Sequence, residues 1–132
     1  MSNKTSNVAG PGHGMTQRFI AMQSKKQCPK GWRVKIDEEY SFQEGKFRPD
    51  VFVQYFKVGK QFKIIYEVQD RMGEKTFQKK IKIMTRMIIE HEPFTDQFIG
   101  HRVHDLIVIK LENVPPTWEE AFKWIGERVV IP

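Results

Sequence analysis

Asp50 and Glu67 are the two acidic residues best placed to do chemistry, because each stands at the end of a segment that predicts a β-strand. Residues 51–56 and 62–68 are rich in β-branched and aromatic side chains. Gly59-Lys60 between them suits a two-residue type II′ turn, in which Gly comes first. The sequence therefore predicts a hairpin that brings the two acids to the same end of a sheet.

The predicted turn also decides which residues face each other. It sets Asp50 opposite Gln69 and Phe52 opposite Glu67. Because side chains alternate along a strand, all four project from the same side of the ribbon. Asp50, Glu67 and Gln69 are thus predicted to form one polar cluster.

Such a cluster predicts binding of a divalent metal ion. Two carboxylates with Cβ atoms about 5–8 Å apart can share one cation at metal–oxygen distances of about 2 Å, with water completing the coordination. Mg²⁺ or Mn²⁺ suits this oxygen-rich setting better than zinc. The backbone carbonyl of Val68 is a further candidate ligand. A metal held here would polarise a phosphoryl oxygen and help to generate hydroxide for attack on a phosphodiester, which is the chemistry of a nuclease.

A purely structural interpretation stands beside this one. Pro49-Asp50 is common turn chemistry at the start of a strand, and Glu67 with Gln69 is typical of the solvated face of an antiparallel sheet.

At these residues the chain resembles the PD-(D/E)xK nuclease superfamily, whose signature is an Asp after Pro opening one strand and Glu-x-Lys closing the next. Pro49-Asp50 and Glu67-Val68-Gln69 are the matching positions, with Gln69 where Lys is usual. The sequence around these residues looks most like the nuclease domains of competence-type proteins, and the small size of the chain looks like that of the archaeal Holliday-junction resolvases. Both groups belong to the same superfamily.

The resemblance implies a Mg²⁺- or Mn²⁺-dependent DNA nuclease that acts as a homodimer, with RNA as an open alternative substrate. Asp50, Glu67 and the Val68 carbonyl would bind the metal, and Gln69 would orient the attacking water. Because the usual Lys activates that water, its replacement leaves a second interpretation open: a catalytically weak or inactive nuclease-fold protein that binds nucleic acid. A third is a structural or protein-interaction domain whose basic surface serves only solubility and which has no salt-dependent affinity for nucleic acid.

Three further residues are candidates for the site. Superfamily members often add a Glu from the first helix, and Gln17 is the nearest counterpart in this chain. Glu39, at the end of an early strand, is a candidate for the missing carboxylate, and Lys80 is a candidate for the missing lysine. The competing interpretation is that Gln17 and Glu39 are polar side chains exposed to solvent.

The net charge of +6 favours a polyanionic partner. From Gly73 onward a helical period puts apolar residues on one side and a cationic stripe on the other, suited to a phosphate backbone. The competing interpretation of that stripe is an ordinary solvated helix face. The residues predicted to contact nucleic acid are Arg48, Lys75, Lys79, Lys82 and Arg86.

The order of predicted elements is αβββαβα, which makes the chain an α/β (α+β) protein with a central mixed sheet flanked by helices. The helices are predicted from Met15 to Lys26, from Gly73 to Pro93, and after Thr117, which begins a capping box with Glu120. Residues 105–111 form an apolar run typical of a strand buried on both faces, beside strand 62–69. This order matches the restriction-endonuclease-like core that the resemblance implies.

Residues 1–14 are predicted to form a flexible tail and residues 15–132 a single domain. No apolar run approaches the ~20 residues needed to cross a bilayer, and no secretory signal is evident. With Cys28 as the sole cysteine, an internal disulfide is excluded and an intracellular location, cytoplasmic or nucleoid-associated, is expected.

Overall fold

The computed structural model describes residues 10–38, 49–70, 78–79, 81–82 and 103–132. Two α-helices and four β-strands form the framework of this part of the chain, and a 3₁₀ turn at Leu111–Asn113 precedes the last helix. Residues 78–79 and 81–82 are also helical. The bounds are α1 His13–Lys26, β1 Arg33–Glu38, β2 Val51–Lys57, β3 Lys60–Gln69, β4 Asp105–Lys110 and α2 Trp118–Gly126.

The four strands form one mixed sheet in the order β1-β2-β3-β4. β1, β2 and β3 are antiparallel neighbours, whereas β4 lies parallel to β3. A parallel neighbour requires a crossover connection, which the stretch between β3 and β4 is long enough to provide. The prediction of a mixed α+β sheet, with strand 105–111 beside strand 62–69, is confirmed.

The turn between β2 and β3 differs from the prediction by one residue. Lys57 pairs with Lys60, so Val58 and Gly59 are the central residues of the turn. Gly59 has a φ of 75°, a left-handed conformation that favours Gly at the second central position. Phe52 therefore pairs with Ile65, and the predicted facing of Phe52 with Glu67 is wrong.

Gly59→Ala should lower the free energy of unfolding by about 1–2 kcal/mol, because a Cβ strains a left-handed backbone. A Cβ at Gly59 would meet no atom within 4 Å, so the strain would come from the backbone alone. Gly14 in α1 is a matched control, since a Cβ there also meets nothing within 4 Å. Gly14→Ala should instead stabilise the protein by about 0.5–1 kcal/mol, and urea unfolding of the two variants would reveal the opposite signs.

The two helices pack on one face of the sheet. The apolar cluster between them includes Phe19 and Ile20 of α1 and Ala121 and Ile125 of α2. α2 begins as predicted, with the Thr117 side chain accepting a hydrogen bond from the backbone N–H of Glu120. The helical period of α1 predicts that Phe19, Ile20 and Met22 share an apolar side; Phe19 and Ile20 are buried, whereas Met22 is 46% exposed and four polar residues are buried as well. These are Thr16, Gln17, Gln23 and Ser24.

The opposite face of the sheet is buried as well, although α1 and α2 do not pack against it. Phe52 and Ile65 are both 0% exposed, and Glu67 beside them is 1% exposed. Glu67 is therefore a carboxylate inside a covered part of the sheet.

β4 is less buried than predicted. Of its six residues only Ile109 is buried, and Val108 is 36% exposed. Within the part of the chain that the structure describes, β4 has one neighbour and lies at an edge, so the prediction of a strand buried on both faces is wrong. None of the helices in that part is long and apolar enough to cross a membrane.

Candidate metal and phosphodiester site

Asp50 and Glu67 meet where β2 begins and β3 ends. β2 and β3 pair Val51 with Tyr66, and this register continues to place Asp50 beside Glu67. The backbone N–H of Asp50 donates to Oε2 of Glu67 at 2.7 Å. In return, the backbone N–H of Val68 donates to Oδ2 of Asp50, also at 2.7 Å. Each carboxylate is thus fixed by a backbone N–H of the opposing strand.

The observed register brings the two carboxylates closer than the prediction did. Asp50 was predicted to face Gln69 and lies instead beside Glu67, because the turn residues are Val58 and Gly59. The observed pairing differs from the predicted pairing by two residues. Because side chains alternate along a strand, this difference leaves each side chain on its predicted side of the hairpin. The acids are therefore direct neighbours rather than diagonal ones.

The burial of Glu67 rules out the solvated-face interpretation for this residue. Its exposed fraction is 1%, whereas the Asp50 side chain is 14% exposed. Burying an ionised carboxylate is costly unless it is hydrogen-bonded, paired or bound to a metal. Glu67 therefore lies where sheet stability alone would favour an apolar residue, and Asp50 opens the pair to solvent.

α1 adds two side chains to this site. Gln17 is 3% exposed, and its Nε2 donates to the backbone carbonyl of Asp50 at 3.2 Å. His13, in the first turn of α1, places Nε2 at 3.5 Å from Oδ2 of Asp50. The positive end of the helix dipole also favours a carboxylate there. Gln17 is therefore buried at the site, as its candidacy required, and the surface explanation for it is wrong.

His13 is a residue near the site that the sequence pattern does not indicate. It was assigned to the predicted tail, whereas α1 begins at His13, two residues before the predicted start. No hydrophobic period includes this residue, and 37 positions separate it from Asp50. The sequence feature that could have indicated it is its position four residues before Gln17, which places both residues on the same side of a helix.

Val68 and Gln69 lie on the same strand as Glu67. The N–H of Val68 points towards β2, and in an extended strand the N–H and C=O of one residue point to the same neighbour. The Val68 carbonyl is thereby at the β2 side, where the carboxylates meet. Gln69 is the last residue of β3, is partly buried, and is paired with Lys110 of β4.

Two of the predicted nucleic-acid contacts fall in the described part of the chain. Lys79 and Lys82 are exposed residues in helical segments, and Ile81 beside them is partly buried. This matches a helix with a cationic outer side at these positions. The other predicted residues, Arg48, Lys75 and Arg86, lie outside the described residues, as do Glu39 and Lys80.

The donor set at the site consists of oxygen atoms. Across residues 10–38, 49–70 and 103–132 and the short helical segments, no group of three or more His, Cys, Asp or Glu side chains lies close enough to hold a metal ion. Two carboxylates and a backbone carbonyl remain, a set that suits Mg²⁺ or Mn²⁺, which keep several water ligands. A carboxylate has about four lone-pair sites, so accepting one N–H is compatible with also binding a cation.

Comparison with models of protein families, with curated proteins and with solved structures finds no match for this chain.

Proposed function

We propose that this protein is a metal-dependent nuclease that hydrolyses DNA phosphodiester bonds, with a site of the PD-(D/E)xK type. The observation that carries the proposal is the direct apposition of Asp50 and Glu67 across two strands, with each carboxylate held by a backbone N–H at 2.7 Å. A buried acid kept beside a second acid is costly for the fold and favours a functional interpretation.

Each residue of the site has a separate role in the proposed reaction. Asp50 and Glu67, with the Val68 carbonyl, would hold Mg²⁺ or Mn²⁺, which when bound supplies charge stabilisation and lowers the pKa of a water nucleophile. Gln17 fixes the backbone of Asp50 by donating to its carbonyl at 3.2 Å. Because Asp50 is the more exposed of the two acids, it forms the side of the site that a phosphodiester would approach.

Gln69 stands where the family signature has Lys. Its amide can donate to and accept from a water molecule, so it can orient a nucleophile, but it carries no charge with which to stabilise a developing negative oxygen. We therefore expect slow turnover compared with a Lys-containing site. The neighbouring Lys110 supplies a cation on the next strand, whose Cα position is paired with that of Gln69.

The second candidate is a nucleic-acid-binding protein with this fold and no turnover. It is favoured by the same two hydrogen bonds, because carboxylates that accept backbone N–H groups also stabilise the end of a hairpin without any metal. The absence of the motif Lys at position 69 points the same way. Metal-dependent cleavage separates the two candidates.

The experiment that tests the proposal is incubation of the purified protein with linear, single-stranded, branched and circular DNA in Mg²⁺, Mn²⁺ or EDTA. We expect cleavage with Mg²⁺ or Mn²⁺ and none with EDTA. An Asp50→Ala/Glu67→Ala double variant serves as the control for a contaminating nuclease. Equal degradation by the wild type and this variant would contradict the proposal, and a metal-independent wild type would contradict it as well.

A further inference from the structure

The end of the sheet farthest from Asp50 and Glu67 carries a concentration of positive charge. Residues 25–36 and 51–66, all described in the structure, contain eight Lys or Arg and no Asp or Glu. Seven of these cations are exposed. We call them the cationic end: Lys25, Lys26, Lys30, Arg33, Lys35, Lys57 and Lys60.

Three elements come together to form the cationic end. The Tyr55 hydroxyl donates to the backbone carbonyl of Ser24 at 3.4 Å, which ties the last turn of α1 to the hairpin. Arg33 of β1 pairs with Phe56, the neighbour of Lys57. The Lys57 ammonium lies 5.8 Å from the centre of the Trp32 ring, a cation–π contact that joins the hairpin to the segment before β1.

The charges along the strands are segregated by sign. β1 begins with Arg33 and Lys35 and ends with Asp37 and Glu38, and β2 and β3 run from the cationic turn to Asp50 and Glu67. A mixture of positive and negative side chains would have lowered the electrostatic repulsion within this surface. Because the charge of the cationic end is positive throughout, it favours a negatively charged partner.

The tip of the β2–β3 hairpin is open to a large ligand. Val58, between Lys57 and Gly59, is 99% exposed, so none of the described residues covers it. In a nucleic-acid duplex, the phosphates lie on either side of the base edges that line each groove. A projecting tip with an apolar side chain between lysines matches this arrangement, because the lysines can contact phosphates while the apolar side chain contacts the groove.

We propose that the cationic end is a second nucleic-acid contact surface, which binds the phosphodiester backbone independently of the metal site. The choice of nucleic acid among polyanions rests on the proposed nuclease function. Asp50 and Lys57 are seven residues apart on an extended chain, or about 23 Å. At about 3.4 Å per base pair, a duplex lying along the hairpin would reach the cationic end about seven base pairs from the phosphate at Asp50.

The test is binding of labelled 20-base-pair DNA and RNA duplexes in EDTA, measured by fluorescence anisotropy at several salt concentrations. Each phosphate contact contributes about 0.9 to the slope of log affinity against log salt. Lys60→Gln should therefore reduce the slope by about 0.9 and Lys57→Gln/Lys60→Gln by about 1.8. The exposed Lys123 of α2 lies outside the cationic end, so Lys123→Gln is the matched control and should leave the slope unchanged.

The result that supports the inference is a loss of slope confined to the hairpin variants, with the duplex bound more tightly indicating which nucleic acid is the partner. Equal slopes for the wild type, Lys60→Gln and Lys123→Gln would overturn it. Binding to vesicles of anionic lipid without binding to either duplex would also overturn it and would assign the surface to a membrane. Because this assay uses EDTA, its outcome is independent of cleavage, so a failure of the proposed nuclease function would be seen separately.

Discussion

Asp50→Asn and Glu67→Gln are each expected to lower the rate of Mg²⁺-dependent DNA cleavage by a factor on the order of 10²–10³. Both substitutions keep the size of the side chain and an oxygen that accepts the backbone N–H seen at 2.7 Å. They remove one negative charge, on which the proposed affinity for a divalent cation depends. The loss should therefore be catalytic, with little change in the free energy of unfolding.

Asp105→Asn is the matched control for these two substitutions. Asp105 also stands at a strand start and accepts a backbone N–H, that of Leu106 at 2.8 Å. It lies on β4, beside Ile64 and away from the carboxylate pair. Cleavage rates should be measured under single-turnover conditions for all three variants, with unfolding monitored by circular dichroism. A rate loss in Asp105→Asn equal to that in Glu67→Gln would contradict a specific role for the pair.

Both strands of the hairpin were predictable, but its turn and its register were not. Alternation and strand-forming residues indicate both strands, but two neighbouring dipeptides, Val58-Gly59 and Gly59-Lys60, contain a Gly that can take a positive φ. The sequence does not decide between them. Because the two choices differ by two positions in register, the side on which Asp50 and Glu67 project was correct although their predicted partners were wrong.

The contribution of α1 to the site was harder to predict, because hydrophobic periodicity treats a buried Gln as a surface residue. Gln23 is 5% exposed and donates to the backbone carbonyl of Phe122 at 2.9 Å, so it packs between the helices in place of an apolar side chain. Gln17 is buried against Asp50 for a similar reason. Such contacts depend on residues 33 and 99 positions away, which no local pattern contains.

The position of β4 at the edge of the four described strands was missed for a different reason. An apolar run such as Leu106 to Ile109 is typical of a strand with neighbours on both sides and layers on both faces. It does not distinguish a central strand from an edge strand with a groove beside it. The structure places a cavity of about 610 Å³ along β4, lined in part by Trp124 of α2 and by Arg128, which follows that helix.

Two buried tyrosines make the stability of this fold sensitive to alkaline pH. Tyr55 and Tyr66 are both 0% exposed, on the sheet face that packs against the helices. Burial raises the pKa of Tyr55 and of Tyr66 above the ordinary value of 10.0. The Tyr66 hydroxyl also accepts from the N–H of Val130 at 2.9 Å and donates to its carbonyl at 3.4 Å, which ties the C-terminal segment to the sheet.

Above pH 10 the free energy of unfolding should fall by about 1.4 kcal/mol per pH unit from Tyr55, and Tyr66 contributes in the same direction. The unfolded chain releases its tyrosine protons near pH 10, whereas the folded chain retains them, so the stabilisation is complete below that pH and is lost as the pH rises. Lys63 acts in the opposite sense, because burial lowers its pKa from 10.5. Its contribution rises with pH and is complete above 10.5.

Urea unfolding of the wild type and of Tyr55→Phe between pH 10.5 and 12 isolates the effect of one tyrosine. Phe keeps the buried ring and loses only the hydroxyl, with its 3.4 Å hydrogen bond to Ser24. The slope for Tyr55→Phe should be shallower than that of the wild type by about 1.4 kcal/mol per pH unit. Contributions from Lys63 and from Cys28, whose pKa burial also raises, are common to both proteins and cancel in the difference. Identical slopes would mean that Tyr55 ionises as readily in the folded protein as in the unfolded chain, which a hydroxyl enclosed between α1 and the sheet does not allow.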